Sequence, residues 1–446
     1  MKRLKILSFI AVAAMAAGTM AGLAGCDLFG GKTHKISSAE ELEGIQSNKN
    51  YELTSDIDLS GKIWSPRSVN NFNGNGYTIK NVTITNTNGG HFAFFSGASS
   101  IKNVVLDNVN MVISLSEDDT GTKLGGFVIS ETRSNGILEN ITVKNSSMVI
   151  STVANNSTNI GGICGESVTG RISGCSVENS SISVITAKSH DKWMQVGGIV
   201  GYARTNEIAD CKFTDSTIYC KSLTCINVGG VIGEIGWVTS ASVTNCISEG
   251  NEITLDATDT SYVSRLGGVV GNNEIEKGEF SCVVSKDNTL KVNARQTYGV
   301  GGLIGRNNGI VKNGLSDGNT ITATLSRNDS SSFAFAGGFC SVNNGSISRC
   351  VSQYNTVTAT EFTGTKSACG FSGRSDGSLA YCGVKDNVVE GGDTNVLATS
   401  SGVFTNCFKG EEDGDWADII SILNLDTELW NFESGKLKLT IGGEII

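Results

Sequence analysis

Gly197-Gly198-Ile199-Val200-Gly201 is one copy of a Gly-Gly-apolar-apolar-Gly string whose recurrence decides the fold. The string returns as Gly161-Gly162-Ile163-Cys164-Gly165, Gly229-Gly230-Val231-Ile232-Gly233, Gly267-Gly268-Val269-Val270-Gly271 and Gly301-Gly302-Leu303-Ile304-Gly305. Looser copies begin at Gly125, Gly337, Cys369 and Ser401, so nine copies start 32 to 38 residues apart. Spacing this regular marks a repeat array, in which each unit touches only its neighbours and the core grows lengthwise. A chain of 446 residues then need not divide into two or three compact domains.

Each copy is followed by a stretch that alternates apolar and polar residues, such as Ile172-Ser173-Gly174-Cys175-Ser176-Val177 or Val243-Thr244-Asn245-Cys246-Ile247-Ser248. Period-two alternation predicts a strand with one buried face. A third apolar segment follows, as in Ile182-Ser183-Val184-Ile185. Between the second and third segments stand Asn108, Asn145, Asn179, Asp215, Asn251, Asn288, Asn319, Asn355 and Asn387. These residue types tolerate left-handed backbone and suit a tight corner. The prediction is an all-β chain, a right-handed parallel β-helix (β-solenoid) of about ten three-stranded coils. At one strand spacing per coil, that is a rod on the order of 50 Å long. Short helical elements are expected at both ends. Ser37-Ser38-Ala39-Glu40 has capping-box spacing and would open a helix through Ile45. Asp415 would cap another running to about Leu423, with Lys436–Ile441 adding a last strand.

The repeat resembles the GLUG motif of bacterial surface proteins, which occurs in adhesin-like lipoproteins and beside some secreted peptidase domains. The opening is similar as well, in Tyr51-Glu52-Leu53, Asp56-Ile57-Asp58-Leu59 and Phe72-Asn73-Gly74-Asn75-Gly76-Tyr77, and so is the ending, Leu423-Asn424 followed by Trp430. The resemblance spans residues 36–446. It implies an architecture and a surface location, and carries no shared chemistry. Five segments follow: a signal peptide, 1–25; a lipidated tether, 26–35; a cap with leading strands, 36–90; solenoid repeats, 91–408; and a C-terminal cap, 409–446.

Lys2, Arg3 and Lys5 precede a short apolar run from Ile6 to Met20, and Leu23-Ala24-Gly25-Cys26 then resembles the lipobox of bacterial lipoproteins. The run is short for a spanning helix and reads as a signal peptide. Cleavage before Cys26 would leave that residue to carry a diacylglycerol, which predicts an extracytoplasmic protein held to a membrane. The formal net charge of -10 argues against a nucleic-acid partner, which would need a basic stripe to neutralise phosphates. The single proline, Pro66, fits stacked strands that need every backbone N–H.

Twelve cysteines follow Cys26. Cys175, Cys211, Cys246, Cys350, Cys382 and Cys407 share one repeat position with Val104, Ile141 and Val283, so the position reads as a buried apolar slot holding a thiol ladder. Disulfides between neighbouring coils are the alternative. Cys220 and Cys225 form the only close pair, short of the two pairs a zinc site normally brings, and no cofactor is expected.

No nucleophile and base stand in a recognisable pattern. The loops just before each glycine pair contain His190, Lys192, Trp193, Tyr262, Arg265, Arg295 and Tyr298, together with Phe333 and Phe362. Aligned along one edge, such residues could hold a glycan or an extended protein segment. The leading expectation is therefore an adhesin or ligand-binding surface protein. The alternatives are a parallel β-helix polysaccharide lyase or glycoside hydrolase, and a passive envelope spacer. An aromatic groove favours the first, a convergent charged cleft the second, and a featureless face the third. Cys26→Ser should abolish incorporation of labelled palmitate and move the protein from the membrane to the soluble fraction of producing cells.

Overall fold

The computed structural model describes residues 31–446 except 86–89, 117–120, 153–155, 188, 190–191, 206, 237–240, 260–261, 276, 296–298, 326–332, 361–364, 392–396, 400–401 and 410–417. Cys26 lies outside the described residues. Strand follows strand in parallel register from one coil to the next, forming a parallel β-solenoid. One sheet contains nine stacked strands, seven of them ending at or beside a glycine pair, and nine strands mark about eight complete turns. Ten coils were expected. The leading strands Arg67–Ser68, Asn71–Asn73 and Thr78–Thr85 and the last strands Ala398–Thr399 and Val403–Thr405 extend the other faces without adding to that sheet.

The coil is also more finely divided than three strands. One turn runs through Trp193–Gly197, Val200–Arg204, Glu207–Ala209, Lys212–Thr214 and Thr217–Lys221. The glycine string is a corner with a strand on either side. Its glycines are demanded by contact, since a Cβ on Gly197 would strike the Val200 carbonyl. One on Gly198 would strike the Gly230 carbonyl of the next coil, and one on Gly201 the backbone of Ile160. The alternating stretch is divided by a left-handed residue, Asp210 (φ +55°), and ended by another, Asp215 (φ +47°).

Register identifies the residues that stack. Cys175 lies over Cys211, Cys211 over Cys246, and that column continues through Val283 and Gly314 to Cys350, Cys382 and Cys407. All six thiols are free; five are buried and Cys407 is partly exposed. Each Sγ donates to the carbonyl two residues before it, as Cys211 does to Ala209 at 3.3 Å. Burial pushes the Cys350 thiol up to about 12, which keeps it protonated.

The corner asparagines fall into two sets. Asn108, Asn145 and Asn179, with Asp215, are left-handed as expected. From Asn251 onward the left-handed residue is the one before, at Gly250, Asp287, Gly318, Tyr354 and Asp386. Asn251, Asn288, Asn319 and Asn355 instead turn inward and are buried. Each donates Nδ2 to Oδ1 of the next, over 2.9 Å from Asn251 to Asn288, 3.1 Å on to Asn319, 3.0 Å on to Asn355 and 3.2 Å on to Asn387. Each Oδ1 also accepts the backbone N–H of the preceding coil, as Asn319 does from Asn288 at 2.9 Å. In earlier coils Ser146, Ser180 and Ser216 take over that acceptance through Oγ.

The ends depart from expectation too. The first strand, Thr33–Ile36, pairs with Asn50–Leu53, so folded structure begins inside the expected tether. The helix is short, Ala39–Glu43, with Ser38 as its cap, one residue later than the predicted spacing. At the other end the helix is only Ile419–Ile422, and Asp415 lies outside the described residues. Trp430–Glu433, Lys436–Ile441 and Glu444–Ile445 form an antiparallel sheet. This segment does not close the end of the rod but lies along its flank. Leu423, Trp430, Leu437 and Leu439 cover Ile247, Val284, Leu315 and Val351, which face outward on successive coils. Gln353 Nε2 donates to the Leu437 carbonyl at 2.8 Å, and its Oε1 accepts the Leu437 N–H at 3.2 Å. Among the described residues no helix is long and apolar enough to cross a membrane.

Asn319→Ala leaves the Asn288 N–H and amide without their acceptor and should cost about 3 kcal/mol in urea unfolding. Asn319→Ser should cost less, because serine already fills that position in three other coils.

Candidate functional site

Two columns of side chains flank the glycine corner. Before it, register stacks Asn159, Gln195, Asn227 and Arg265 on successive coils. After it stand Glu131, Glu166, Tyr202, Glu234, Asn272 and Arg306. The tight corner makes the columns converge on a cavity of about 750 Å³, lined also by Trp193, Arg204 and Glu274. It runs along the rod, with a new rung about every 4.8 Å.

The carboxylates occupy different environments. Glu166 pairs with the Arg204 guanidinium and accepts from Asn159 Nδ2 at 2.9 Å. Glu274 pairs with Arg306 at 2.8 Å and accepts from Asn272 and Asn308. Both make charge-assisted contacts with a guanidinium. Glu234 lies between them, 9% exposed. Its Oε2 accepts from Asn227 Nδ2 at 2.6 Å and Gln195 Nε2 at 3.2 Å, while its Oε1 makes no hydrogen bond among the described residues. Burial raises its proton affinity above that of an ordinary Glu, opposed by the two amides and Arg265 and reinforced by the Glu274 charge. Burial likewise raises the Tyr202 hydroxyl, so the phenol stays neutral. Three buried polar atoms of this lining have no partner among the described residues: Asn159 Oδ1, Asn272 Oδ1 and Arg204 Nε.

Of the residues proposed from sequence, Trp193 and Arg265 line the cavity, with the guanidinium 5.2 Å from the indole centroid. Lys192, Tyr262 and Arg295 belong to the connecting loops and are not among its lining residues. His190, Tyr298 and Phe362 lie outside the described residues. The structure thus places the polar concentration on the strands flanking the corner rather than on the loops before it. A signal for this existed in the residue directly after each third glycine, which reads Glu166, Tyr202, Glu234, Asn272 and Arg306. Cys220 is buried and Cys225 partly exposed. Among the described residues no group of three or more His, Cys, Asp or Glu side chains is placed to hold a metal.

Stacked coils with a glycine corner in each define a GLUG-repeat β-helix protein. The family model of the GLUG motif matches residues 194–219, which is most of one coil. No curated protein matches the chain. Among solved structures, a Bacteroides ovatus protein proposed as an immunoglobulin A1 protease is similar, with 16% identity and a TM-score of 0.39. The match covers 58% of this chain and 77% of that one.

Glu234 binds its proton more tightly in the folded state than an unfolded Glu does, so the folded state is penalised as pH rises past the unfolded value. Glu234→Gln should therefore gain stability over the wild type progressively as pH rises above about 4, and not below, in urea unfolding at a series of pH values.

Proposed function

We propose that the chain is a lipid-anchored, extracytoplasmic surface protein that binds a glycan along the groove beside the glycine corner. The observation that carries this reading is the dense polar lining of the groove, where Asn159, Gln195, Asn272, Glu166 and Glu274 stand beside Arg204, Arg265 and Arg306. A ligand dense in hydroxyls supplies both donors and acceptors to such a lining. The flanking Trp193 and Tyr202 add ring surface against which a sugar can pack.

Periodicity favours a saccharide over an extended peptide. A peptide lying along the groove presents same-side residues every 6.6 Å or so, out of step with rungs about 4.8 Å apart. A pyranose chain advances by close to one rung per sugar, so consecutive units can meet equivalent positions on consecutive coils. The lipid on Cys26 supplies the membrane attachment in this reading, and the net charge of -10 agrees with a partner other than nucleic acid.

The test is a glycan array probed with the detergent-solubilised full chain. Saturable binding to a defined glycan is expected, weakened about tenfold or more in Trp193→Ala, the loss of roughly one good contact. Absence of binding to every glycan overturns the reading.

A further inference from the structure

Register divides the polar groove into five rungs, one per coil. On the first, Asn159 stands across the corner from Glu166 and donates to it at 2.9 Å. The second carries Trp193 and Gln195 on one wall and Tyr202 and Arg204 on the other. The third sets Asn227 against Glu234 at 2.6 Å, and the fourth sets Arg265 against Asn272 and Glu274. On the fifth, Arg306 stands across from Gly299. Beyond it the series stops, because the next coil brings Phe335 and Val342 to these two positions, and both are buried. Before the first rung Leu124 takes the place of the amide, and among the described residues only Thr122 of that coil lines the cavity. Five rungs enclose four coil spacings, or about 19 Å.

The lining is also balanced in charge. It holds three carboxyls, Glu166, Glu234 and Glu274, and three guanidiniums, Arg204, Arg265 and Arg306. Arg204 pairs with Glu166 and Arg306 with Glu274. Arg265 lies 5.2 Å from the Trp193 centroid, donates to Asn227 Oδ1 at 3.3 Å and has Glu274 on its own coil. A carboxylate or sulfate on a sugar could reach Arg204 or Arg306 only in competition with a carboxylate already there. An ammonium would meet the same contest from the guanidiniums. An uncharged sugar displaces no ion pair, and its hydroxyls can both donate to the carboxyls and accept from the amides and guanidiniums.

From these two observations, and resting on the glycan-binding reading, we infer that the groove takes an uncharged glycan in runs of about five sugars, one to a rung. The second rung anchors it, since among the described lining residues aromatic rings stand on both walls there alone. A shorter glycan settles on the first three rungs. A fourth and a fifth sugar reach Arg265, Asn272 and Arg306, and a sixth would meet only the apolar Phe335 and Val342 at these positions.

The experiment titrates the detergent-solubilised full chain calorimetrically with oligosaccharide ladders of two to eight units. Neutral ladders come from cellulose, xylan, mannan, β-1,3-glucan and chitin, and acidic ones from pectin and hyaluronan. In a neutral ladder, affinity should climb about 10²-fold between two and five units and change less than about twofold beyond. Raising sodium chloride from about 0.05 to about 0.5 M should alter it less than about twofold. Trp193→Ala should weaken three-unit and five-unit binding alike. Arg306→Ala should weaken five-unit binding about tenfold and leave three-unit binding unchanged, with wild-type far-ultraviolet circular dichroism in both variants. The wild-type ladder decides the length by itself should a variant misfold. A plateau at two or three units, or a continued rise to eight, overturns the five-rung length. Tighter binding of an acidic ladder, falling as salt rises, overturns the uncharged class. Equal losses at three and five units in Arg306→Ala overturn the register of one sugar per rung. Silence of every ladder beside a positive glycan array overturns this inference and leaves glycan binding standing, whereas silence of both removes both.

Discussion

Backbone meeting backbone at the glycine corner is the constraint on which the rest of the structure depends. In the five copies with all three glycines, from Gly161 to Gly305, the strand entering the corner and the strand leaving it come so close that three positions have no room for a Cβ. One glycine answers to its own turn, the second to the coil above, and the third to the strand of a neighbouring coil. The requirement couples each coil to the next, and it explains why the string recurs when the loops between copies do not resemble one another. The same close approach folds two outer strand faces toward each other. The groove is thus a direct product of the feature that builds the rod.

Stacking also changes what polar and small residues can do inside. A lone buried Asn amide leaves donors and acceptors exposed to an apolar core, at a cost of a few kcal/mol. Repeated at one position, each amide satisfies the next, and its oxygen also takes up a backbone N–H that the turn leaves over. Serine achieves the second part without the first in the earlier coils. The thiol column works on the same geometry with weaker partners, since each Sγ needs only the carbonyl two residues back. In the groove the arrangement is reversed. There the register stacks unlike residues, and the electrostatics of one carboxyl are set by what the coils on either side carry. Glu166 and Glu274 each pair with an arginine, whereas among the described residues Glu234 forms no such ion pair and burial raises its proton affinity.

The solenoid, its period and the column of cysteines were legible in the sequence because each rests on short-range pattern repeated many times. Alternation marks a strand, and equivalence across copies marks a stacking position, whatever the coil-to-coil geometry. The asparagines show where that logic slips. Asn108, Asn145, Asn179 and Asp215 occupy the left-handed corner itself. Asn251 and its successors sit one residue further on, past the left-handed residue, where the side chain turns inward. A single-residue shift exchanges the two faces of a strand, and spacing that varies between copies conceals it.

By itself, the sequence determined that the chain coils in a stacked, parallel β array, because glycine, β-branched and alternating polar residues at a fixed period admit few other arrangements. Only the tertiary structure decided where the coils converge. Glu166, Glu234 and Glu274 are separated by 68 and 40 residues along the chain, and their neighbourhood exists only once the corner has tightened. The C-terminal segment was decided in the same way. Its apolar residues predicted a cap, but Ile247, Val284, Leu315 and Val351 offer a continuous apolar stripe on the flank, and covering that stripe removes apolar surface from water on several coils at once. Such surfaces arise from the sum of many coils, and no single coil announces them.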